Sequence, residues 1–290
     1  MAHDFAKLSV TKRFAAYMRQ FSDIPYASDI ADIIQARPAF EAFLRPYNLS
    51  PEDLHFYAPY FESRHKAISS MIQRVNPRQV LEIGAGLSPR GLTLSADGSI
   101  FYVETDLEDM IGEKRALLAA LMRRYRLQAR NNLRNVAADA LECDQLLAAA
   151  KYFKSGQRLL VVHEGLLQYF SSSETEHIVR NIHHLLGKFG GVWITPDFSL
   201  KTDSAHISDQ QKHFRAVLAD ATDRTLYNNA FDSIEHLREY FRGLGFHIEV
   251  FNQLYLAPEL TSPTRLRLDP AILDEMRPRL RLWSLKRLAQ

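Results

Sequence analysis

The spacing of apolar residues changes once along the chain and predicts two kinds of structure. In residues 1–76, apolar residues recur every three or four positions, which is typical of helices with one buried face. From residue 79 onward, apolar runs of strand length alternate with helical patterns. Such alternation predicts a mostly parallel sheet flanked by helices. We therefore expect a helical cap followed by an α/β core.

Five strands are predicted in the first part of the α/β region, at 79–83, 100–105, 134–137, 158–163 and 192–195. The helix after the fourth strand has a capping box, Ser171-x-x-Glu174, at its start. Two later apolar segments, 246–251 and 280–288, are predicted as an antiparallel pair at the sheet edge.

A polar insertion, residues 198–230, interrupts the alternation after the fifth strand. The pair Ser208 and Gln211 predicts the start of a helix within it. Open α/β sheets bind ligands outside the carboxyl ends of their strands, which is where this insertion leaves the sheet. We expect it to form a lid over a substrate pocket. The proline-containing segment 257–279 has no predicted place.

The first predicted strand runs into a glycine turn, Gly84-Ala85-Gly86, and then into a helix. Glycine allows a sharp turn and the close approach of a ligand where a Cβ would collide. Ser88 suits the N-cap position of the helix and Pro89 its first residue. A strand that enters a helix N-terminus through glycines is typical of a nucleotide-binding corner.

Two acidic residues indicate which nucleotide this corner binds. A dinucleotide fingerprint is G-x-G-x-x-G, but Pro89 replaces its third glycine and Glu82 lies two residues before the first. A carboxylate there would repel a pyrophosphate. It suits a ligand with a cationic amino group and no phosphate, such as S-adenosylmethionine. Asp106 follows Gly86 by twenty residues, the distance at which an acid on the second strand meets ribose hydroxyls.

The composition of the chain limits which partners and which cellular compartment we expect for the protein. The chain has 290 residues, with 36 Lys and Arg against 34 Asp and Glu, so no global basic field attracts nucleic acid. The single cysteine, Cys143, excludes internal disulfides and a three-cysteine iron–sulfur site. The first residues have no apolar leader, and no run approaches eighteen apolar residues. We expect a cytoplasmic protein without a membrane partner.

Several short motifs occur in an order that resembles one family. They are Glu82-x-Gly84-x-Gly86, Glu104-Thr105-Asp106-Leu107 with Lys114 downstream, Asp139-Ala140, and Glu164-Gly165-Leu166-Leu167-x-Tyr169. Over about residues 60 to 290 the chain resembles the leucine carboxyl methyltransferase-like family. That family includes the protein phosphatase leucine carboxyl methyltransferases and bacterial O-methyltransferases of polyketide type. The motif that begins at Glu164 is the most specific part of the resemblance. His163 departs from it, because many members have a small or apolar residue there.

The resemblance implies a class I methyltransferase fold, which is Rossmann-like, with a seven-stranded, mostly parallel sheet and a helical lid. It also implies a cofactor, S-adenosylmethionine, and a role for each matching position. Arg64 would reach the cofactor carboxylate, and the glycine turn would line the methionine moiety. Asp106 would bind the ribose, and Asp139 with Ala140 would contact the adenine. Glu164 would close the site after the fourth strand.

The acceptor decides whether the protein needs a base. A carboxylate acceptor is already ionised at pH 7, so the protein has mainly to position it and exclude water. A phenol or alcohol needs a base such as a histidine or a carboxylate. The candidates near the predicted mouth are His163, Tyr169, Asp197, His206 and His213. No metal site is expected, because Ser208 as N-cap would place His206 ahead of the helix that carries His213.

The leading hypothesis is an S-adenosylmethionine-dependent O-methyltransferase that acts on a carboxylate or hydroxyl of a small molecule or of a protein C-terminus. The alternatives are a cofactor-binding but catalytically idle interaction protein and a nicotinamide-dependent oxidoreductase. We expect one methyltransferase domain over residues 1–290. Its parts would be a helical cap (1–76), a cofactor-binding half (77–197), the lid (198–230) and a C-terminal helix with edge strands (231–290).

Overall fold

The computed structural model describes residues 5–222 and 230–288, without the side chains of residues 5–10, 204–206 and 221–222. Within them, one sheet contains seven strands: β1 (Gln79–Ile83), β2 (Phe101–Asp106), β3 (Leu133–Ala137), β4 (Leu159–Val162), β5 (Gly191–Thr195), β6 (Phe246–Asn252) and β7 (Arg281–Arg287). Each predicted strand is present; the bounds of β1 match the prediction, and no bound of the other strands differs from it by more than one residue. The order is β3-β2-β1-β4-β5-β7-β6.

The first five strands pair in parallel, and β7 pairs antiparallel with both β5 and β6. The predicted antiparallel pair at the edge is confirmed. Its inner member is β7, the last strand of the chain, and β6 forms the edge. The strand order reverses between β1 and β4, so their carboxyl ends flank the crevice where such sheets bind ligands.

The described helices cover both faces of the sheet and one of its ends. They are α1 (Phe5–Arg19), α2 (Ala27–Ile33), α3 (Ala36–Leu44), α4 (Ala58–Val75), α5 (Arg90–Leu94), α6 (Glu108–Arg124), α7 (Cys143–Ala149), α8 (Ser172–Phe189), α9 (Asp209–Thr222), α10 (Ile234–Gly243), α11 (Gln253–Leu256), α12 (Ser262–Arg265) and α13 (Ala271–Met276). The capping box at Ser171 is formed, with both of its hydrogen bonds to Glu174 present.

Two apolar layers sandwich the sheet because successive strand residues point to opposite faces. On one face, Val80 of β1 belongs to the same buried cluster as Ile68 and Ile72 of α4. On the other face, Leu81 belongs to a cluster that includes Ile178 of α8. The side chain of Glu82 follows the face of Val80, and so its charge lies within the protein and not on its surface.

The insertion after β5 packs on the N-terminal helices. Phe214 of α9 is fully buried, and its ring centroid lies 4.9 Å from Phe14 of α1 and 6.2 Å from Phe40 of α3. Aromatic pairs at these distances stabilise beyond their buried area. The helix predicted after Ser208 is present, and the cap and the insertion together cover one end of the sheet.

The structure also places the segment 257–279, which the sequence left unassigned. The buried carboxylate of Glu62 in α4 accepts hydrogen bonds of 2.8 Å from the backbone N–H groups of Thr261 and Ser262. Lys66 pairs with the same carboxylate at 2.7 Å. These contacts tie the segment to α4, and its last turn, Arg277–Arg279, leads directly into β7.

Candidate functional site

Five charged side chains meet at the carboxyl ends of β1 and β4. We call them the arginine–glutamate cluster: Arg19, Arg64, Arg90, Glu82 and Glu164. Glu164 accepts hydrogen bonds from Arg19 (2.7 Å), Arg64 (3.2 Å) and Arg90 (2.5 Å). Arg90 also pairs with Glu82. The five residues come from α1, α4, α5, β1 and the loop after β4, so this cluster joins the cap to the sheet.

The cluster carries more positive than negative charge. Its three guanidinium groups face two carboxylates, and their side chains are 0–11% exposed. Burial alone would raise the pKa of Glu164, but the charges of Arg19, Arg90 and Arg64 hold it well below its usual range. Burial and then the Arg90 charge lower the pKa of His65 well below its usual range, so this neighbour adds no charge. The nearby Asp197 carboxylate also acts on Arg64, so the protein itself offsets part of this excess, and an anionic ligand would offset more.

Glu82 is held entirely by neighbouring side chains. One carboxylate oxygen pairs with Arg90, and the other accepts a 2.8 Å hydrogen bond from the Tyr102 hydroxyl. The cofactor contact predicted for Glu82 stays a prediction. The arrangement favours an indirect role, because Glu82 fixes Arg90 and Arg90 in turn contacts Glu164.

The glycine turn has the conformation that its sequence predicted. Gly84 and Gly86 have φ of 65° and 49°. A Cβ at Gly84 would lie 2.7 Å from Cδ1 of Leu166. Glycine therefore keeps the β1 turn close to the loop after β4.

The helix after the turn begins one residue later than predicted. The N-cap residue is Pro89, whose backbone turns just before the helix, and Arg90 is the first helical residue. Ser88 contributes a hydroxyl that accepts a 3.3 Å hydrogen bond from the Arg90 N–H.

Asp106 ends β2 and faces the same turn. Its two carboxylate oxygens accept 2.8 Å hydrogen bonds from the N–H groups of Gly86 and Leu107. Burial raises the pKa of Asp106, and these two hydrogen bonds oppose the rise. A carboxylate oxygen has a second lone pair, so Asp106 can still accept from ribose hydroxyls.

Asp139 and Ala140 follow β3 on a loop with fixed geometry. The Asp139 carboxylate accepts a 3.0 Å hydrogen bond from the Leu141 N–H. The Asn181 side chain donates to the Ala140 carbonyl, also at 3.0 Å. The loop thus lies beside the end of β2, at the edge where the sequence placed an adenine contact.

Asp197 organises the loop that contains Glu164. It accepts hydrogen bonds from the N–H groups of Gly165 (2.7 Å), Leu166 (2.7 Å) and Leu167 (3.1 Å), and from His163 Nδ1 (2.9 Å). Burial would raise the pKa of Asp197, but the His163 charge and hydrogen bond and the Arg64 charge lower it. Such a carboxylate is a weak base and a good anchor.

Of the other four base candidates, His163 and Tyr169 are also held within the protein, His213 is exposed, and the side chain of His206 lies outside the described residues. His163 is fully buried, and its Nε2 atom has no partner among the described residues. Burial raises the pKa of Tyr169, so its hydroxyl stays protonated at neutral pH. The contact geometry therefore favours positioning roles for His163 and Asp197 over proton abstraction. Both catalytic assignments remain predictions.

A cavity of about 110 Å³ lies against the cluster. It shares Arg64 and Asp197 with the site just described. Its lining comes from the cap, the loops after β4 and β5, the insertion and the segment before β7: Phe56, Tyr57, Tyr60, Arg64, Leu167, Gln168, Pro196, Asp197, Phe198, Ser199, Leu200, Asp203, Gln211, Arg215, Ala230, Met276, Arg279 and Leu280.

Sequence reasoning missed Arg19, Arg90, Arg215 and Arg279 as site residues. Arg90 had a signal, since it follows the glycine turn eight residues after Glu82 and could have been taken as its partner. The other three had none, because their neighbours are distant in the chain: Arg19 and Glu164 are 145 residues apart.

The residues at this edge fit the expected cofactor. The excess positive charge of the cluster suits the carboxylate of S-adenosylmethionine. The Nε atoms of Arg19 and Arg90 are buried without a hydrogen-bond partner among the described residues. Asp106 offers acceptor capacity for ribose hydroxyls. In the described part of the chain, no three His, Cys, Asp or Glu side chains form a metal-binding group. No described helix is long and apolar enough to cross a membrane.

Comparisons with solved structures agree with this fold. A DUF574 family protein from Streptomyces avermitilis is 15% identical, with a TM-score of 0.55 and coverage of 96% of this chain and 97% of that one. An O-methyltransferase family protein from Burkholderia thailandensis is 12% identical, with a TM-score of 0.50 and coverage of 99% and 70%. The methyltransferase SibL is 14% identical, with a TM-score of 0.50 and coverage of 88% and 62%.

The chain spans about 60% of the length of several such structures, including one from Nostoc punctiforme. No curated protein matches the sequence. A family model described as leucine carboxyl methyltransferase matches residues 39–183, which is half of the chain. The matched stretch contains Arg64, the glycine turn, Asp106, Asp139 and Glu164. The protein therefore belongs to the leucine carboxyl methyltransferase family.

Proposed function

We propose that the protein methylates an oxygen atom, in a carboxylate or an ionised hydroxyl, of a small-molecule acceptor. This proposal rests on the cavity that adjoins the arginine–glutamate cluster through Arg64 and Asp197. The cavity lies beyond the carboxyl ends of β4 and β5, where this class of sheet binds ligands. Its volume of about 110 Å³ suits a small molecule.

The lining of the cavity favours an acceptor that is already ionised. Its two described carboxylates are both engaged: Asp197 by three backbone N–H groups and His163, and Asp203 by Arg281 at 2.8 and 2.9 Å. No histidine is among the described lining residues. A base that accepts a proton from a neutral hydroxyl near pH 7 is therefore not provided by these side chains. An ionised oxygen needs no such base.

The cofactor side follows from the same edge of the sheet. Arg64 and Arg19 would hold the cofactor carboxylate, and Asp106 the ribose hydroxyls. Asp139 and Ala140 would contact the adenine, and the turn at Gly84–Gly86 would line the methionine moiety. When bound, the cofactor supplies a methyl group on a cationic sulfur, which is released as a neutral thioether as the acceptor oxygen takes the methyl.

The protein itself contributes by positioning the two reactants and by excluding water. Arg64 is held by Glu164, and its Cζ atom lies 5.0 Å from the Tyr60 ring centroid. The cap and the insertion close over the acceptor through the buried Phe214. Holding the two reactants in this enclosed space replaces a bimolecular encounter and removes competing water.

Two measurements test the proposal in sequence. Calorimetry should detect binding of S-adenosylhomocysteine and no binding of NAD. A screen of carboxylic acids and acidic phenols should then give methyl esters or ethers by mass spectrometry. Methyl transfer to amines alone would overturn oxygen specificity. Cofactor binding without any methyl transfer would favour the idle interaction protein that the sequence left open.

Arg64→Gln and Arg74→Gln form a matched pair for the same assay. Arg64 contacts Glu164, whereas Arg74 lies in the last turn of the same helix and is exposed. We expect only the first change to weaken cofactor binding. Equal binding by both variants would remove Arg64 from the site.

A cytoplasmic location of the protein stays a prediction.

A further inference from the structure

Two arginines line the cavity away from the cofactor edge. Arg215 belongs to α9 of the insertion, and Arg279 ends the short turn before β7. Their side chains share the cavity with the aromatic rings of Tyr57 and Tyr60. Two cations on one wall of a small cavity repel each other, which is costly unless something between them is negative.

Arg215 has partners within the protein, among them the Tyr57 side chain, so Arg279 is the residue that indicates a ligand at this wall. Asp203 is the carboxylate that acts most strongly on Arg279, and both of its oxygens already accept hydrogen bonds from Arg281. The Nε atom of Arg279 is buried and has no hydrogen-bond partner in the described part of the chain. Burial, and then the Arg215 charge, lower the pKa of Arg279. Arg279 therefore has a buried Nε donor that no described residue uses.

This wall is distinct from the arginine–glutamate cluster. The charged and phenolic groups that act on Arg64 are Tyr60, Glu164 and Asp197. Those that act on Arg279 are Arg215, Asp203, Tyr60 and Tyr57. Tyr60 is common to both sets and so lies between the two ends of the cavity.

We propose that Arg215 and Arg279 bind the carboxylate of an aromatic acid whose reacting oxygen lies at the Arg64 and Asp197 end. A guanidinium matches the two oxygens of a carboxylate with parallel hydrogen bonds. The rings of Phe56, Tyr57, Tyr60 and Phe198 in the lining suit a planar aromatic body. This inference rests on the proposed function, because it names the class of acceptor for the same cavity.

The test compares acids with their neutral amides. 4-Hydroxy-3-nitrobenzoate and 4-hydroxy-3,5-dinitrobenzoate, whose acidic phenols are ionised at pH 8, are each titrated, beside the corresponding amides, into protein saturated with S-adenosylhomocysteine. We expect at least one acid to bind about ten- to 100-fold more tightly than its amide, the range for a charge-assisted hydrogen bond. No preference for the acid in any pair would overturn the proposal.

Variants of the two arginines then test whether these residues cause the preference for the acid over its amide. Arg215→Gln and Arg279→Gln should each bring the acid-to-amide ratio close to one, and Arg279→Lys should keep part of it. Arg277→Gln is the matched control, because Arg277 lies on the same turn but is exposed and paired with Asp274. A ratio that persists in both Gln variants would place the carboxylate elsewhere and contradict the proposal.

Measuring cofactor binding distinguishes a failure of this inference from a failure of the proposed function. S-adenosylhomocysteine should bind the Arg279→Gln variant as it binds the unchanged protein, which also shows that the variant is folded. If methyl transfer to oxygen is found while the acid preference is absent, only the arginine assignment fails. If no methyl transfer to oxygen occurs in any screen, the proposed function itself fails.

Discussion

The cofactor edge and the acceptor cavity share Arg64, but the chain builds them in different ways. The cofactor edge is a closed set of ion pairs in which each acid has named cationic partners within hydrogen-bond distance. At the cavity wall, Asp203 is the carboxylate that acts on Arg279, but it already accepts hydrogen bonds from Arg281, and the Nε atom of Arg279 has no hydrogen-bond partner among the described residues. The first region satisfies its carboxylates within the protein, and the second leaves a buried donor of Arg279 to a ligand.

The two regions also differ in what supports them. The cofactor edge is built on β1, β2 and β4, whose backbones are paired on both sides within the sheet. The cavity wall at Arg215 and Arg279 is built on α9 of the insertion and on the short turn before β7. Such segments generally open more easily than central sheet strands. We therefore expect the cofactor edge to be the more rigid of the two regions.

The largest effect on this comparison is expected from Glu164→Gln. The change removes a buried carboxylate from between Arg19, Arg64 and Arg90 and leaves their charges uncompensated. Breaking a buried ion pair in this way costs roughly 3–5 kcal/mol of unfolding free energy. Urea denaturation measures the loss. Glu176→Gln is the control, because its pair with Arg180 is exposed and contributes less than about 1 kcal/mol.

A loss below about 1 kcal/mol for Glu164→Gln would contradict the comparison. It would mean that the three arginines find solvent or other partners as easily as the charges of the cavity wall do.

Phe214→Ala tests whether the lid is a separate unit. The ring is fully buried and packs on Phe14, Phe40 and Tyr57, so its loss should cost about 3 kcal/mol. We expect faster amide exchange over α9, unchanged exchange in β1 and β4, and cofactor affinity within about threefold. His213→Ala, at the exposed neighbouring position, is the control. Faster exchange throughout the sheet would show that lid and sheet unfold together.

Asp106→Ala should weaken cofactor binding and leave the cavity intact. It removes a charged acceptor predicted to bind the ribose, an interaction of about 1.5–3 kcal/mol. Affinity for S-adenosylhomocysteine should fall roughly ten- to 150-fold by calorimetry. Asp109→Ala, on the exposed first turn of α6, should leave it unchanged. Unchanged affinity in a folded Asp106 variant would assign the ribose to another residue.

The smallest expected effect is the contribution of His65 to the pH dependence of stability. Burial and the Arg90 charge keep this ring neutral in the folded protein, whereas the unfolded chain takes up a proton below about pH 6.5. The folded pKa is depressed, so its contribution to stability is complete above about pH 6.5 and decreases as the pH falls, by at most about 1.4 kcal/mol per pH unit.

Urea denaturation at pH 7 and pH 5 measures this dependence. The His65→Gln variant should lose less stability on acidification than the unchanged protein. His247→Gln, at an exposed position, should behave like the unchanged protein. Equal slopes for all three proteins would show that His65 is protonated in the fold.

Local patterns were sufficient for the elements that carry their own signals. The strands of the sheet, the capping box at Ser171 and the left-handed conformations of Gly84 and Gly86 follow from nearby residues. The resemblance carried the family and the cofactor. The motif residue Asp106 ends β2, and Asp139 and Glu164 follow the ends of β3 and β4 by two residues, so the parallel strands bring all three to one edge of the sheet.

The roles of Glu82, His163 and Asp197 needed the structure. Each looked available in the sequence, yet each is engaged by partners from other elements: Glu82 by Arg90 and Tyr102, Asp197 by the N–H groups of the loop after β4, and His163 by Asp197. Residue type gives the capacity of a side chain to bind, and only its neighbours show whether that capacity is already used.

The sequence by itself determined the α/β class, the nucleotide corner and the family, because periodicity, glycine turns and strand-end acids are local properties of the chain. The tertiary structure alone decided that Arg19, Arg64 and Arg90 converge on Glu164, and that Arg215 and Arg279 share one cavity wall. Electrostatic interactions depend on distance in space, and the folding of segments up to 145 residues apart sets those distances.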